Sequence, residues 1–268
     1  MGDPLWVSSC ILRDNVTHFV YLRSIGIGEV CVVTTLADCF SKTYAINLPE
    51  RVDRRKALMS ELDLQKFRPR TRRLEVFPGV RPESPEGFPN RGVRGCFLSH
   101  LGVLRQALEQ KLETVLVLED DVTFDPVFRE RTGMIERELR EQSWGFVYLG
   151  HQLNLEPVPG HCLIPVSGDI VTAHCYGVHG SVLPELVRFL ESVPQRPPGH
   201  PDGGPMFPDG ALSFFRAKHP EIVTLAAAPS MASQRSSRSD LTPRWFDRIP
   251  GFRETAGLFR NLTNNRPR

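Results

Sequence analysis

None of the six cysteines (Cys10, Cys31, Cys39, Cys96, Cys162 and Cys175) forms a C-x-x-C pair, which leaves no zinc ribbon and no thioredoxin-type redox motif. Charge of one sign is also missing. Lys and Arg number 33 against 31 Asp and Glu, a formal +2, so bulk electrostatics does not suggest a nucleic-acid partner and none is expected. Local basic clusters at residues 51–56 and 66–73 need local explanations. Long apolar runs are absent too: the stretch 30–40 is broken by Thr34, Thr35 and Asp38 and is too short to cross a bilayer. Polar residues around Asn15 and His18 interrupt any early signal-peptide core. The expectation is a protein without a transmembrane segment, with peripheral membrane contact left open and the cytoplasm as its compartment. There is no internal repeat.

What is present suits an ordinary globular chain: 268 residues, 40% apolar and 24% charged, enough to bury one sizeable core. Residues 1–41 show no clear period and are treated as an extension. From there strands and helices alternate. Residues 43–48 form a short apolar run, and 53–64 carry Ala57, Leu58 and Leu62 at helical spacing. A strand at 74–77 precedes a Pro- and Gly-rich segment, 78–92, expected to be loop. Phe97, Leu101, Leu104 and Leu108 then place 96–109 on a helix. The uninterrupted run 114–118 predicts a strand buried on both faces, as at the centre of a parallel sheet. Further helices are expected at 128–139, 182–190 and 209–218, and strands at 146–149, 171–178 and 222–227. This alternation predicts an α/β layered fold. A long loop at 194–208 and a Ser- and Arg-rich tail after Pro229 complete the chain. The tail is expected to be partly ordered, with Trp245, Phe246 and Phe252 as its anchor.

The chemistry concentrates at Glu119, Asp120 and Asp121, three adjacent carboxylates at the end of an apolar strand. The two-residue strand period puts Glu119 and Asp121 on one side. Carboxylates this close disfavour joint ionisation unless a cation intervenes, and hard oxygen ligands suit Mg²⁺ or Mn²⁺. The competing reading is a solvated turn with an Asp cap. The carboxyl end of a strand in an open α/β sheet is where ligands bind.

Two more segments stand in register with that cluster: Tyr44-Ala45-Ile46-Asn47-Leu48-Pro49-Glu50-Arg51-Val52-Asp53-Arg54-Arg55 and Gly92-Val93-Arg94-Gly95-Cys96-Phe97-Leu98-Ser99-His100. Together with Leu118-Glu119-Asp120-Asp121, in this order and spacing, they resemble glycosyltransferase family 25, which includes bacterial lipopolysaccharide galactosyltransferases and collagen hydroxylysine galactosyltransferases. The resemblance covers residues 43–150 well. It implies a GT-A type fold, α/β with a mixed, mostly parallel central sheet flanked by helices. It also implies an inverting, Mn²⁺-assisted transfer of a hexose, commonly galactose, from a UDP-sugar to a hydroxyl of a glycan or protein acceptor. The catalytic domain is then expected at 42–228, between an extension at 1–41 and a tail at 229–268. Collagen-modifying members of the family work in the secretory lumen, the alternative compartment, where the sequons at Asn15 and Asn261 would matter.

Carried over position by position, Asn47, Leu48, Arg51 and Arg54 fall where the first strand and its loop meet the nucleotide, with Arg51 or Arg54 against the diphosphate. A solvated helix start is the plainer reading of both arginines. Asp121 is the leading metal ligand, and Glu119 and Asp120 share the metal and the donor ribose. Ser99 and His100 could reach the donor; the alternative for His100 is a satisfied core histidine. His174 and His179 lack zinc-ligand spacing and are expected to be structural. The acceptor's proton needs a base. Asp209 is the candidate, against a role as helix N-cap, with Asp202 in reserve. A D-x-D-x-T phosphatase is disfavoured because Thr123, not a second Asp, lies two residues after Asp121. A non-catalytic relative of the same fold remains the alternative of a different class.

Overall fold

The computed structural model describes residues 39–65 and 73–235, and of the preceding chain only the backbone pairing of Leu12–Arg13 with Val16–Thr17. The expected extension, the second basic cluster, both sequons and the aromatic anchor at Trp245, Phe246 and Phe252 lie almost wholly outside the described residues.

The first strand, β1 (Lys42–Asn47), leads into α1 (Val52–Leu64); β2 (Leu74–Pro78) and a loop lead into α2 (Arg91–Glu109). Then come β3 (Thr114–Glu119), β4 (Val122–Phe124), α3 (Phe128–Glu141), β5 (Phe146–Tyr148), β6 (Leu163–Pro165) and β7 (Cys175–His179). The described residues end with α4 (Leu183–Ser192), α5 (Pro208–Lys218), β8 (Thr224–Ala227) and β9 (Ala232–Gln234). Seven strands form one sheet in the order β2-β1-β3-β7-β5-β8-β6. Strands β1, β2 and β3 run parallel, β7 runs antiparallel between β3 and β5, and β8 runs parallel to β5. The mixed, mostly parallel α/β sheet expected from the sequence is therefore present.

The unbroken apolar run of β3 has a direct explanation. Val115 and Val117 pack with Phe97, Leu101 and Leu104 of α2 and Leu186 and Leu190 of α4. Leu116 and Leu118 point the other way, into a second core with Leu58 and Leu62 of α1 and Ile135 and Leu139 of α3. Helices cover both faces, so neither set of alternate side chains can be polar. All four strand residues are fully buried.

Two differences bear on the site. Helix α2 begins at Arg91, five residues before the expected 96, because the Asn90 side chain accepts from the Val93 amide at 2.9 Å and caps it. Gly92, the end of the expected loop, and Gly95 lie inside its first turns. Three short strands had no visible period: β4, β6 and β9. Of these, β9 pairs antiparallel with β4 through Ala232↔Phe124, Ser233↔Thr123 and Gln234↔Val122. It brings residues assigned by sequence to the tail back onto the core.

Candidate active site

Parallel pairing of β1 with β3 sets Ile46 opposite Glu119, so the chain beyond both strands emerges at one edge of the sheet. Asn47, buried at the end of β1, donates from Nδ2 to Oδ2 of Asp120 at 2.7 Å and to the Arg51 carbonyl at 3.1 Å. Arg54, on the first turn of α1, places Nη1 2.9 Å from Oδ1 of Asp120 and 3.8 Å from Oδ2 of Asp121. The reading of Arg54 as a solvated helix start therefore does not fit; its side chain is only 16% exposed. Arg51 instead turns its guanidinium to Asp53, at 2.9 and 3.0 Å, on the exposed side of the turn. Leu48 lies against Gly79 and lines the cleft below.

Helix α2 contributes the opposite wall. Ser99 is buried, donates to the Gly95 carbonyl at 2.7 Å and accepts from the Val80 amide at 2.8 Å, so its hydroxyl fastens the loop after β2 to the helix. His100 is buried one turn after Cys96, with Nδ1 3.0 Å from the Tyr176 hydroxyl and Nε2 3.2 Å from Oε1 of Glu119. Both ring nitrogens are satisfied by side chains that converge on the acidic cluster, rather than by backbone.

The three carboxylates differ. Burial would raise the Glu119 carboxyl, but hydrogen bonding and charge from His100, with Gln234 Nε2 donating to Oε2 at 3.0 Å, hold it below its ordinary value. Asp120 is buried and bound by Asn47 and Arg54. Asp121 is pushed up to about 6, first by burial and then by the charge of Glu119. Its Oδ1 is buried without a hydrogen-bond partner. An orphaned, half-desolvated carboxylate oxygen beside two others fits the donor set of a hard divalent cation.

These groups line a cleft of about 390 Å³ that contains Leu48, Arg54, Ser99, His100, Glu119, Asp120 and Asp121, together with Arg81, Arg91 and the capped start of α2. A second groove lies between α3 and β6 and holds none of the predicted residues. Asp209 does not line the cleft. It stands at the second position of α5, with Phe207 as the cap and Oδ1 accepting from the Gly210 amide at 2.8 Å. The N-cap reading thus fails, while burial, with the charge of Glu119 adding to it, raises its carboxyl. Asp202 is exposed, 3.9 Å from Lys218.

Sequence reasoning missed four members of the site. Cys96 Sγ lies 3.9 Å from Oε1 of Glu119; it sat inside a quoted motif, one helical turn from His100. Tyr176 orients His100. Gln234 holds Glu119, and Arg235 binds the Asp120 carbonyl through Nη2 at 2.7 Å and the Asp121 carbonyl through its amide at 2.7 Å. No sequence period announces Gln234 or Arg235, because β9 is three residues long.

The site thus defines an α/β protein with an acidic cleft at the carboxyl edge of its sheet. Residues 90–157 match the family described as glycosyltransferase family 25 (LPS biosynthesis protein), which bears out the resemblance drawn from the three motifs. The chain is 25% identical over 199 residues to procollagen galactosyltransferase 2 of Homo sapiens, covering 68% of this chain and 31% of that protein. It is 27% identical over 155 residues to inactive glycosyltransferase 25 family member 3 of Homo sapiens, covering 51% of this chain and 26% of that one. The chain spans under a third of the length of these relatives. A solved glycosyltransferase involved in glycosylating the major capsid of PBCV-1 aligns at a TM-score of 0.46 and 12% identity over 74% of this chain and 93% of that one. Among the described residues no helix is long and apolar enough to cross a membrane.

Proposed function

We propose that this chain is the catalytic unit of a metal-dependent inverting glycosyltransferase that moves a hexose, galactose first among candidates, from a UDP-sugar to an acceptor hydroxyl. The observation that carries the reading is the orphaned Oδ1 of Asp121, buried beside Glu119 and Asp120 in a cleft rimmed by arginines. Asp121 and Glu119 would hold Mn²⁺ or Mg²⁺, which when bound supplies positive charge against the leaving diphosphate. Arg54 fixes Asp120 and stands ready beside the phosphates, and the start of α2 adds its backbone amides and positive dipole end at the same cleft. Asn47 keeps Asp120 oriented toward the donor. Asp209, whose carboxyl is raised by burial and by the charge of Glu119, is proposed as the base that takes the acceptor's proton.

The unit is taken as residues 42–228 extended through β9, since Gln234 and Arg235 touch the acidic cluster. The relatives named for procollagen favour a hydroxyl on a protein over a free glycan as acceptor, and the secretory lumen over the cytoplasm as compartment.

Calorimetry of UDP binding with and without Mn²⁺ tests the reading. The expected result is metal-dependent binding to the wild type that Asp121→Ala abolishes, with galactose transfer from UDP-galactose reduced on the order of 10² to 10³-fold in the variant. A second reading has its own support: Arg54 and Arg235 already partly neutralise the cluster, and one relative is named inactive. Equal or absent UDP binding in wild type and variant would select a non-catalytic, glycan-binding role.

A further inference from the structure

Apart from Asp121, the cleft brings together a set of ligands of a different chemical kind. Cys96 and His100 are four residues apart on α2 and so share one helix face. Glu119 meets them from the end of β3. One ligand atom from each, Sγ of Cys96, Nε2 of His100 and Oε1 of Glu119, lies within 4.8 Å of the other two. The nitrogen is 3.2 Å and the sulfur 3.9 Å from the carboxylate oxygen. Ligand atoms around a tetrahedral zinc ion, with bonds of about 2.0 to 2.3 Å, stand roughly 3.5 Å apart.

We propose that Cys96, His100 and Glu119 form a site for one thiophilic divalent cation of the zinc class, which adjoins the hard-cation site at Asp121 and shares Glu119 with it. Mixed sulfur, nitrogen and oxygen ligands select zinc over Mn²⁺ or Mg²⁺, which prefer oxygen alone. The outer contacts have the form such sites need. The Tyr176 hydroxyl lies 3.0 Å from Nδ1 and its ring stacks on the imidazole at 5.7 Å, so with a cation at Nε2 the proton would sit on Nδ1 and be donated to that hydroxyl. Gln234 holds the far oxygen of Glu119 at 3.0 Å, so Oε1 stays aimed at the other two ligands. All three ligands line the cleft, which gives a path for entry and leaves a fourth position for water or a ligand group. Binding exchanges the Cys96 thiol proton for the cation and releases it to solvent, with no change of oxidation state. Occupation takes Oε1 of Glu119, so zinc is expected to compete with its use at the neighbouring site. The inference does not rest on the transferase reading, because its test measures cation binding and not turnover.

The probe is Co²⁺, then Zn²⁺, added to the reduced 268-residue chain. The Co²⁺-loaded wild type is expected to show thiolate-to-metal charge transfer in the near ultraviolet and visible bands of tetrahedral intensity. Cys96→Ser should lose the charge transfer, and Cys96→Ser and His100→Gln should weaken zinc at least ~10-fold against a chromophoric chelator. Asp121→Ala should keep the charge-transfer band. Absence of the band in the wild type, its persistence in Cys96→Ser, its loss in Asp121→Ala, or unchanged zinc affinity in both ligand variants would overturn the site. Should the variants not fold, X-ray absorption at the zinc edge of the wild type decides. One sulfur with nitrogen and oxygen neighbours is expected, and a shell with no sulfur or with several overturns it.

Discussion

Asp121 shows how a single side chain can favour function over stability. Burial and the Glu119 charge put its carboxyl at about 6, against an ordinary 3.8. The folded state therefore binds this proton more tightly than the unfolded chain, and the contribution of Asp121 to stability falls as pH rises from about 4 through 6. Two units correspond to something on the order of 3 kcal/mol, for a side chain 16% exposed. In chelator at pH 7, Asp121→Asn should melt higher than the wild type, and the two should converge near pH 4; thermal unfolding across that range is the check. Adding Mn²⁺ at pH 7 should raise the wild-type midpoint and leave the variant's in place. A gap in melting temperature between wild type and variant that does not widen from pH 4 to pH 7 would contradict the strain assigned to this carboxyl. The acidic triplet was legible because three carboxylates after a pure apolar run are conspicuous. The inequality among them was not, since it depends on Arg54, Asn47 and His100 arriving from elsewhere in the chain.

At the scale of an element, α2 is set by its glycines as much as by its apolar stripe. A Cβ on Gly95 would stand 2.4 Å from the Val80 carbonyl and 3.0 Å from Pro82 Cδ. The absence of a side chain is thus what lets the loop after β2 lie on the helix and form a cleft wall. Gly133, in the exposed middle of α3, meets nothing within 4 Å. The same substitution should therefore have opposite signs at the two positions. Gly133→Ala is expected to stabilise by about 0.5 to 1 kcal/mol through helix propensity. Gly95→Ala should cost about 1 to 3 kcal/mol, because a backbone carbonyl has to move. Urea unfolding measures both, and the Gly95 variant should also bind UDP more weakly. Sequence placed the body of α2 correctly from Phe97, Leu101 and Leu104. It missed the first turn because glycine there argues for loop unless the packing partner is known.

For the whole molecule, the long-range closure is made by β9. It brings Gln234 to Glu119, 115 residues away in the chain, and Arg235 to Asp120. Ending the chain after Met231 should leave the seven-stranded sheet and its two cores folded, with a single cooperative unfolding transition at a lower temperature. Loss of those outer contacts should weaken Mn²⁺-dependent UDP binding by about 10-fold or more. Calorimetry against the full chain distinguishes this from an unaltered site, which would make β9 a packing element only. The amino-acid sequence alone determined the α/β class, the strand–carboxylate junction at Glu119 to Asp121 and the resemblance of three motifs to family 25, because hydrophobic period and adjacent residue types are local properties. Tertiary structure alone decided that Arg54 reaches the acids, that His100 joins Tyr176 to Glu119, that Cys96 belongs with them, and that the start of the tail returns to the site. Each of these is a contact between side chains far apart in sequence, fixed by sheet order and register, and no local pattern encodes either.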